Sequence, residues 1–385
     1  MHYFQQRYLR ENRAFGSMAG LEIVDLPNAG LLSGLEIRVT GVNSAYGNNP
    51  DMWVHDYITK FEVMVNGSQV VKSLTGDQLL ALMHYQKTIQ RGHDAANLPS
   101  GLHEETFMIN FGRHYHDLEY MLDLGQVNDP ELRMEHNFSA TGHHGWTHGC
   151  AMSTEPSYCI IPHILRDPNV TPLGYIKSSE IFRHQSAVSR QRNMTVPRGP
   201  TYSNLYLQSW YASEGLGINI DHIELNVNSD NIIPIRVQVE ELESENVRMY
   251  GMAKRQEWSV LMGGQAYPFP IESGHVAGLI GNGELAEFAF SNIWANLGIP
   301  RFVTGAAGTP ENAAHGVHSL IRGAFPFSVA AIPIFDPWDK DTWIKSDELG
   351  DLWLRVEEGA AAGTHVYLKL LADEVVTKYH TPSWP

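Results

Sequence analysis

The sequence has little cysteine, little positive charge and no long apolar run. Two cysteines in 385 residues, Cys150 and Cys159, are too few for a disulfide framework and read as reduced thiols. Only 27 Lys and Arg stand against 43 Asp and Glu, so the bulk surface lacks the concentrated positive field that phosphate binding needs, and sequence-specific nucleic-acid binding is not expected. Nowhere do apolar residues run for the roughly 20 positions of a membrane-spanning helix. The opening segment MHYFQQRYLRENR is polar where a secretory signal would be apolar, so folding in the cytoplasm is expected. Also missing are the G-x-S-x-G elbow, the P-loop and the H-E-x-x-H helix. Gly-Asn-Gly at 281–283 and Gly-Ala-Ala-Gly at 305–308 lack the strand-then-helix setting of a phosphate cradle.

What is present is alternation. Leu35, Ile37 and Val39 alternate with Glu36, Arg38 and Thr40, as in a strand with one buried face, and Phe61, Val63 and Val65 repeat the pattern. Asn66-Gly67 follows as a hairpin turn, because both residues tolerate positive φ, and Val70 to Leu74 form the return strand. Thr75 and Gln78 then make a T-x-x-Q capping box, opening a helix with Leu79, Leu82 and Met83 as its apolar stripe.

The same order recurs downstream. Leu205 to Tyr211 is followed by Ile223, Leu225 and Val227 as alternating apolar positions, a polar turn at Asn228 to Asn231, a return strand carrying Ile233, Ile235, Val237 and Val239, and the short polar helix EELESENVRMYG. Later, TFMINFGRHYHDLEYMLDLGQVNDPELRMEHN runs parallel with FSVAAIPIFDPWDKDTWIKSDELGDLWLRVEE, and each copy closes on one more strand, Tyr158 to Leu165 and His365 to Ala372. The turn at 66 recurs at 228 and the late strand at 132 recurs at 352, so the second copy carries about 58 extra residues. A period this long is a domain duplication and not a solenoid.

The chain therefore divides into an N-terminal arm at 1–30, a first β-sandwich at 31–166, a proline-marked linker at 167–200, a second sandwich at 201–378 with an insertion at about 251–325, and a tail at 379–385. The insertion reads as an exposed projection with one helix, Glu284 to Leu297. Met1 to Gly16 and the tail HTPSWP are candidate arms towards neighbouring molecules. The fold class is all-β: two sandwiches of antiparallel strands, with helices confined to connections.

The pattern LSGLEIRVTG, then FEVMVNGSQVVKSLTGDQLLAL, then TFMINFG and a final pair of strands, present twice, resembles the double jelly-roll major capsid proteins of tailless icosahedral viruses, the lineage that includes the adenovirus hexon. The likeness spans about Leu31 to Ala372 and rests on strand and turn patterns, with no catalytic signature and no cofactor to carry over. It implies two tandem eight-stranded jelly rolls, a homotrimeric, pseudo-hexagonal capsomer in the virion capsid, and partners consisting of neighbouring capsomers, penton and minor capsid proteins and, in many members, an internal membrane. It also implies that the N-terminal segment and inter-domain region lie at the base of the tile. There the sequence is basic: Arg166, Lys177, Arg183, Arg190, Arg192 and Arg198 stand against only Asp167 and Glu180, and Arg7, Arg10 and Arg13 against Glu11. Arg7, Arg10, Arg13, Lys177, Arg183, Arg190 and Arg192 are the candidates for facing lipid or the particle interior, against a solvated linker with intramolecular ion pairs.

Two enzyme or ligand alternatives come from the histidines and tryptophans. His143, His144, His148 and Cys150 cluster in HHGWTHGC, but their spacing matches no zinc motif and the glycines mark a loop. A cupin, itself a jelly roll, would use H-x-H and a downstream Glu, and His114, His116 and Glu119 come one residue short of that spacing. A carbohydrate-binding sandwich would use Trp338, Trp343 and Trp353 as a platform, although aromatics near strand starts are more often core or subunit contacts.

Overall fold

The computed structural model describes residues 3–42, 52–88, 95–97, 102–140, 152, 155–167, 169–210, 215–261, 266–268, 271–272, 275–281, 301–303, 315–334, 336–359 and 366–377. The helix expected at Glu284–Leu297, the 141–151 histidine loop, the Gly-Ala-Ala-Gly at 305–308 and the HTPSWP tail lie outside these residues.

The first copy begins with β1 (Phe4–Gln6), β2 (Arg10–Ala14), β3 (Ala19–Asp25) and β4 (Leu31–Val42), followed by the one-turn helix α1 (Val54–Tyr57), β5 (Ile58–Val65), β6 (Gln69–Leu74) and α2 (Gly76–Tyr85). It ends with β7 (Ala95–Asn97), β8 (Leu102–Asn110), β9 (Leu122–Asp123), β10 (Glu131–Asn137) and β11 (Ser157–Leu165). The second copy opens with β12 (Tyr175–Gln185), β13 (Gln191–Thr195), β14 (Thr201–Ser209), α3 (Leu216–Asn219), β15 (Ile220–Val227), β16 (Ile232–Gln238) and α4 (Val239–Tyr250). Its insertion contributes β17 (Ala253–Leu261), β18 (Ala266–Pro268), β19 (Ile271–Glu272), β20 (His275–Gly281), β21 (Arg301–Val303) and β22 (His315–Gly323). The copy closes with β23 (Phe325–Pro326), β24 (Val329–Ala331), β25 (Ile344–Lys345), β26 (Leu352–Glu358) and β27 (Tyr367–Val376).

The local signals act as their chemistry dictates. Asn66 and Gly67 adopt φ of 55° and 75°, the left-handed region both residues tolerate, and close β5 onto β6 through the three-residue turn Asn66–Ser68 between the paired Val65 and Gln69. At the start of α2 the Gln78 side-chain oxygen accepts from the Thr75 backbone N–H at 3.0 Å, closing the expected capping box. Gly76 follows because the backbone of α1 at His55 occupies the space a side chain would need. Gln238 and Glu241 make the equivalent box on α4, with 2.7 Å from the Gln238 N–H to the Glu241 carboxylate.

Both copies build two four-stranded layers in the same order. In the first, β1-β11-β4-β8 faces β3-β10-β5-β6; in the second, β12-β27-β14-β24 faces β13-β26-β15-β16. Leu35, Ile37 and Val39 of β4 meet Phe61 and Val63 of β5 and Leu132 of β10 in the first core, while Leu205, Leu207, Ile223, Leu225, Leu354 and Leu370 fill the second. The architecture is a double jelly roll.

The copies are joined through a sheet. Strand β12 lies between β27 on one side and β6 on the other, pairing parallel with β6 at Lys72↔Ser178 and Ser73↔Ser179, so a layer of each sandwich belongs to one nine-stranded sheet. The insertion returns to the first copy as well: β17 pairs parallel with β7, which extends the β1-β11-β4-β8 layer through β22 to β20. Two stretches expected outside the sandwiches are strands of them. The N-terminal 1–30 supplies β1, β2 and β3, and 167–200 supplies β12 and β13. Pro172, Pro197 and Pro200 flank these last two strands without interrupting their ladders, which is where proline is tolerated.

Candidate functional site

The seven basic candidates fall into two groups at equivalent places in the two copies. Arg7 and Arg13 are exposed along β1–β2, and Arg10, half-buried, donates to the Leu9 carbonyl at 3.1 Å. On the twin strand β12, Lys177 pairs with Glu374 at 2.9 Å and the Arg183 guanidinium lies 4.3 Å from the Tyr367 ring centre. Arg192 of β13 comes within 3.8 Å of the buried Glu358, and Arg190 is exposed in the preceding turn. Lys177, Arg183 and Arg192 thus have intramolecular partners, whereas Arg7, Arg13 and Arg190 point outwards.

The H-x-H-x-x-E segment is dispersed. His116 stacks between Phe4 and Tyr115, with centroids 3.7 and 3.8 Å away, and its Nε2 lies 3.1 Å from Nδ1 of His163 on β11. Burial and the facing His163 lower its pKa to about 4, so at neutral pH one imidazole N–H donates to the other ring's lone pair. Glu119 is taken by Arg113 at 2.8 Å, which also holds Asp117 at 2.7 Å, and His114 contacts the Tyr115 carbonyl. Among the described residues no three His, Cys, Asp or Glu are placed to hold a metal ion. The tryptophans stand apart too: Trp343 is buried against Tyr120, Trp338 lies under Lys87, and Trp353 lies under Arg355. Cys159 is buried, donating from its thiol to Asn12 Oδ1 at 3.1 Å.

The chemistry that stands out is buried at the junctions between the copies. At the β6–β12 seam, Lys72 Nζ donates to Ser178 Oγ at 2.7 Å, Ser178 Oγ donates to Asp373, and Tyr206 donates to the other Asp373 oxygen at 2.8 Å. A second set of bonds joins Gln78 and Asp77 of α2 to Gln208 of β14, at 3.0 and 2.7 Å. Every one of these groups is buried. Burial brings the Lys72 ammonium down to about 8 against the pull of Asp373, and burial with Asp373 drives the Tyr206 hydroxyl well above its ordinary range.

This depression has a sign. Between pH 8 and the ordinary lysine range the unfolded chain holds a proton that the folded chain has released, so stability rises with pH there. In urea unfolding from pH 8 to 9.5 the parent should gain roughly 2 kcal/mol relative to Lys72→Met. Equal pH slopes in the two proteins would refute the assignment.

The second junction clamps the insertion onto the first copy. Arg255 of β17 lies over Trp53 and Phe327 and reaches Glu105 of β8 at 2.7 Å while bonding Glu257 of its own strand. Glu105 also accepts from the His55 backbone N–H at 2.7 Å and from the His55 ring at 2.9 Å, and Asp56 lies 3.6 Å from the far side of that ring. Burial pushes the Glu105 carboxyl up, but His55 and Arg255 outweigh it and hold it at about 2. Burial likewise disfavours charged His55, yet Glu105 and Asp56 raise its pKa above the ordinary value. Glu257 is raised, burial outweighing Arg255. The arrangement can hold elements together.

No family model matches the chain, and no curated protein does. Among solved structures the chain is similar to the STIV MCP, with a TM-score of 0.61 and 11% identity over 99% of this chain and 100% of that one. It is similar to a chain in the atomic structure of Sulfolobus Turreted Icosahedral Virus, with a TM-score of 0.56 and 11% identity over 100% and 94%. A third likeness is to the major capsid protein P2 from Bacteriophage PM2, with a TM-score of 0.53 and 9% identity over 98% of each. At these identities what is shared is the fold: the chain has the double jelly-roll architecture of those proteins from end to end.

Proposed function

We propose that this double jelly roll is the major structural protein of an icosahedral virus shell, and that three copies form a pseudo-hexagonal tile without catalytic duty. The observation that carries this reading is the fusion of two sandwiches of identical strand order through one sheet. A threefold set of such chains presents six like sandwiches in a ring, and a tile of that outline packs against others of its kind. The full-length fold likeness to capsid proteins supports it, and the buried polar clusters at both junctions are paired within the molecule. In this reading the insertion at 251–325 is the outer projection, the partners are neighbouring tiles with penton and minor capsid proteins, and the working place is the virion after assembly in the host cytoplasm.

The test is the mass of the purified chain in solution. A stable species of about 130 kDa, three times the 43.1 kDa chain, is expected by sedimentation, with hexagonal tiles or shells by electron microscopy. A chain that stays monomeric at micromolar concentration counts against the reading.

The same trimers test the basic surface. Beside an anionic leaflet the outward-pointing Arg7, Arg13 and Arg190 would each contribute about 1 kcal/mol, and Arg10, Lys177, Arg183 and Arg192 less, because they are half-buried or already paired within the chain. Trimers should float with vesicles containing anionic lipid and not with neutral ones, and exchanging Arg7, Arg10 and Arg13 for Gln should abolish flotation. Equal binding to both vesicle types, or to neither, removes the membrane-facing role.

A further inference from the structure

We propose that strand β16 of one copy receives strand β1 of a second copy as its parallel neighbour, reproducing between chains the β6–β12 pair inside each chain. The inference rests on the trimer reading above and assigns the edges that build it.

The ladders fix which residues are twins. Phe4 and Leu31 both pair with Leu165, and Ile176 and Thr201 both pair with Val375, so β1 corresponds to β12, with Tyr3-Phe4 matching Tyr175-Ile176. Val65 pairs with Gln69 and Val227 with Ile232, so β6 corresponds to β16, with Gln69-Val70 matching Ile232-Ile233. Within the chain β6 and β12 cover each other, and the Gln69 side-chain amide donates to the Tyr175 hydroxyl at 2.9 Å. Their twins are bare. Among the described residues β16 pairs only with β15, and β1 only with β11.

Exposure marks the same edges. Tyr175 is 1% exposed while its twin Tyr3 is 53% exposed, and Ile232 and Ile233 stand 52% and 45% exposed on a strand whose twin is covered. Exposed apolar side chains at both ends of a repeated contact are what a missing copy of that contact leaves behind. Each chain offers one edge of each kind, so the contact runs head to tail, and with two sandwiches per chain it closes after three copies into six.

The register transfers directly. Tyr3 falls opposite Ile232 and Phe4 opposite Ile233, with the two-pair ladder at Ile235 and Arg236, past Pro234, which has no N–H to give. It also sets Arg7 beside Arg236, whose guanidinium already lies 3.3 Å from Glu224.

The test uses the full chain with Ile233→Asp, and separately with the pair Tyr3→Cys and Ile232→Cys. Parallel neighbours lie roughly 5 Å apart, within disulfide reach. Ile233→Asp should lower the solution mass threefold, from trimer to monomer, with an unchanged circular dichroism spectrum, and Val188→Asp, an exposed apolar site on neither edge, should leave the trimer intact. On oxidation the cysteine pair should give interchain dimers and trimers on a non-reducing gel, and the single cysteine variants none. Trimers that survive Ile233→Asp together with no interchain disulfide from the pair overturn the edge assignment while leaving the trimer standing. A parent chain that never exceeds monomer mass overturns both.

Discussion

Arg255→Ala should destabilise the protein by about 3–5 kcal/mol, because it takes the guanidinium away from Glu105 and Glu257 while leaving both carboxyls buried. The loss should fall on the junction between the insertion and the first sandwich, so limited proteolysis should cut the 251–325 region well before the sandwiches open. Removing the charges together should be gentler: Arg255→Met with Glu105→Gln and Glu257→Gln takes away the guanidinium and both carboxylates it faces, and should recover part of the deficit. The pH dependence follows from Glu105. Its carboxyl titrates at about 2 when folded, so its contribution is fully present above the ordinary carboxylate range and fades as pH falls through that range towards 2. The gap between parent and Arg255→Ala in urea midpoints should therefore be wide at pH 7 and narrow near pH 3. A variant as stable as the parent at pH 7 would mean that the cluster holds nothing together.

Asp373→Ala should be comparably damaging at the other junction, again about 3–5 kcal/mol. The carboxylate accepts from Ser178 and Tyr206 and faces Lys72, so its removal leaves a buried ammonium without its counter-charge and two buried hydroxyls without their acceptor. Lys72→Met in the same background should restore stability, since the amine that needed the carboxylate is gone. An additive double variant, with no recovery, would show that the two residues do not interact through Ser178.

Much of the architecture could be read from alternation and turn chemistry. Leu35-Ile37-Val39, Asn66-Gly67 and Thr75-Gln78 each act locally, and their recurrence at 223–241 disclosed the duplication. The strands β12 and β13 were obscured because four prolines dominate the composition of 167–200, although proline at the flank of a strand does not forbid it. Strands β1 to β3 read as an arm because edge strands carry polar, exposed residues. The match of Tyr3-Phe4 with Tyr175-Ile176 was the available signal that both segments are the same element.

The junction chemistry was not legible for a different reason. Lys72, Glu105 and Arg255 sit at alternate strand positions that look like solvent-facing ones, and the partners that Lys72 and Arg255 find across the junctions, Ser178 and Glu105, are remote in sequence. Only the shared sheet and the return of β17 to β7 turn those positions inwards. The H-x-H-x-x-E segment failed in the opposite direction: its spacing suggested local cooperation, whereas His116 finds its partner in His163 and Glu119 in Arg113.

Strand β27 occupies the middle of the nine-stranded sheet, between β14 and β12, although it is made after every other strand in that sheet. A chain leaving the ribosome therefore has β12 exposed on its antiparallel side, and Ser178 lacks its Asp373 partner, until residue 376 has been translated. Contacts this distant in sequence form slowly. Built into the order of the strands is a timer: the sheet that joins the two sandwiches cannot close until β27 has been made.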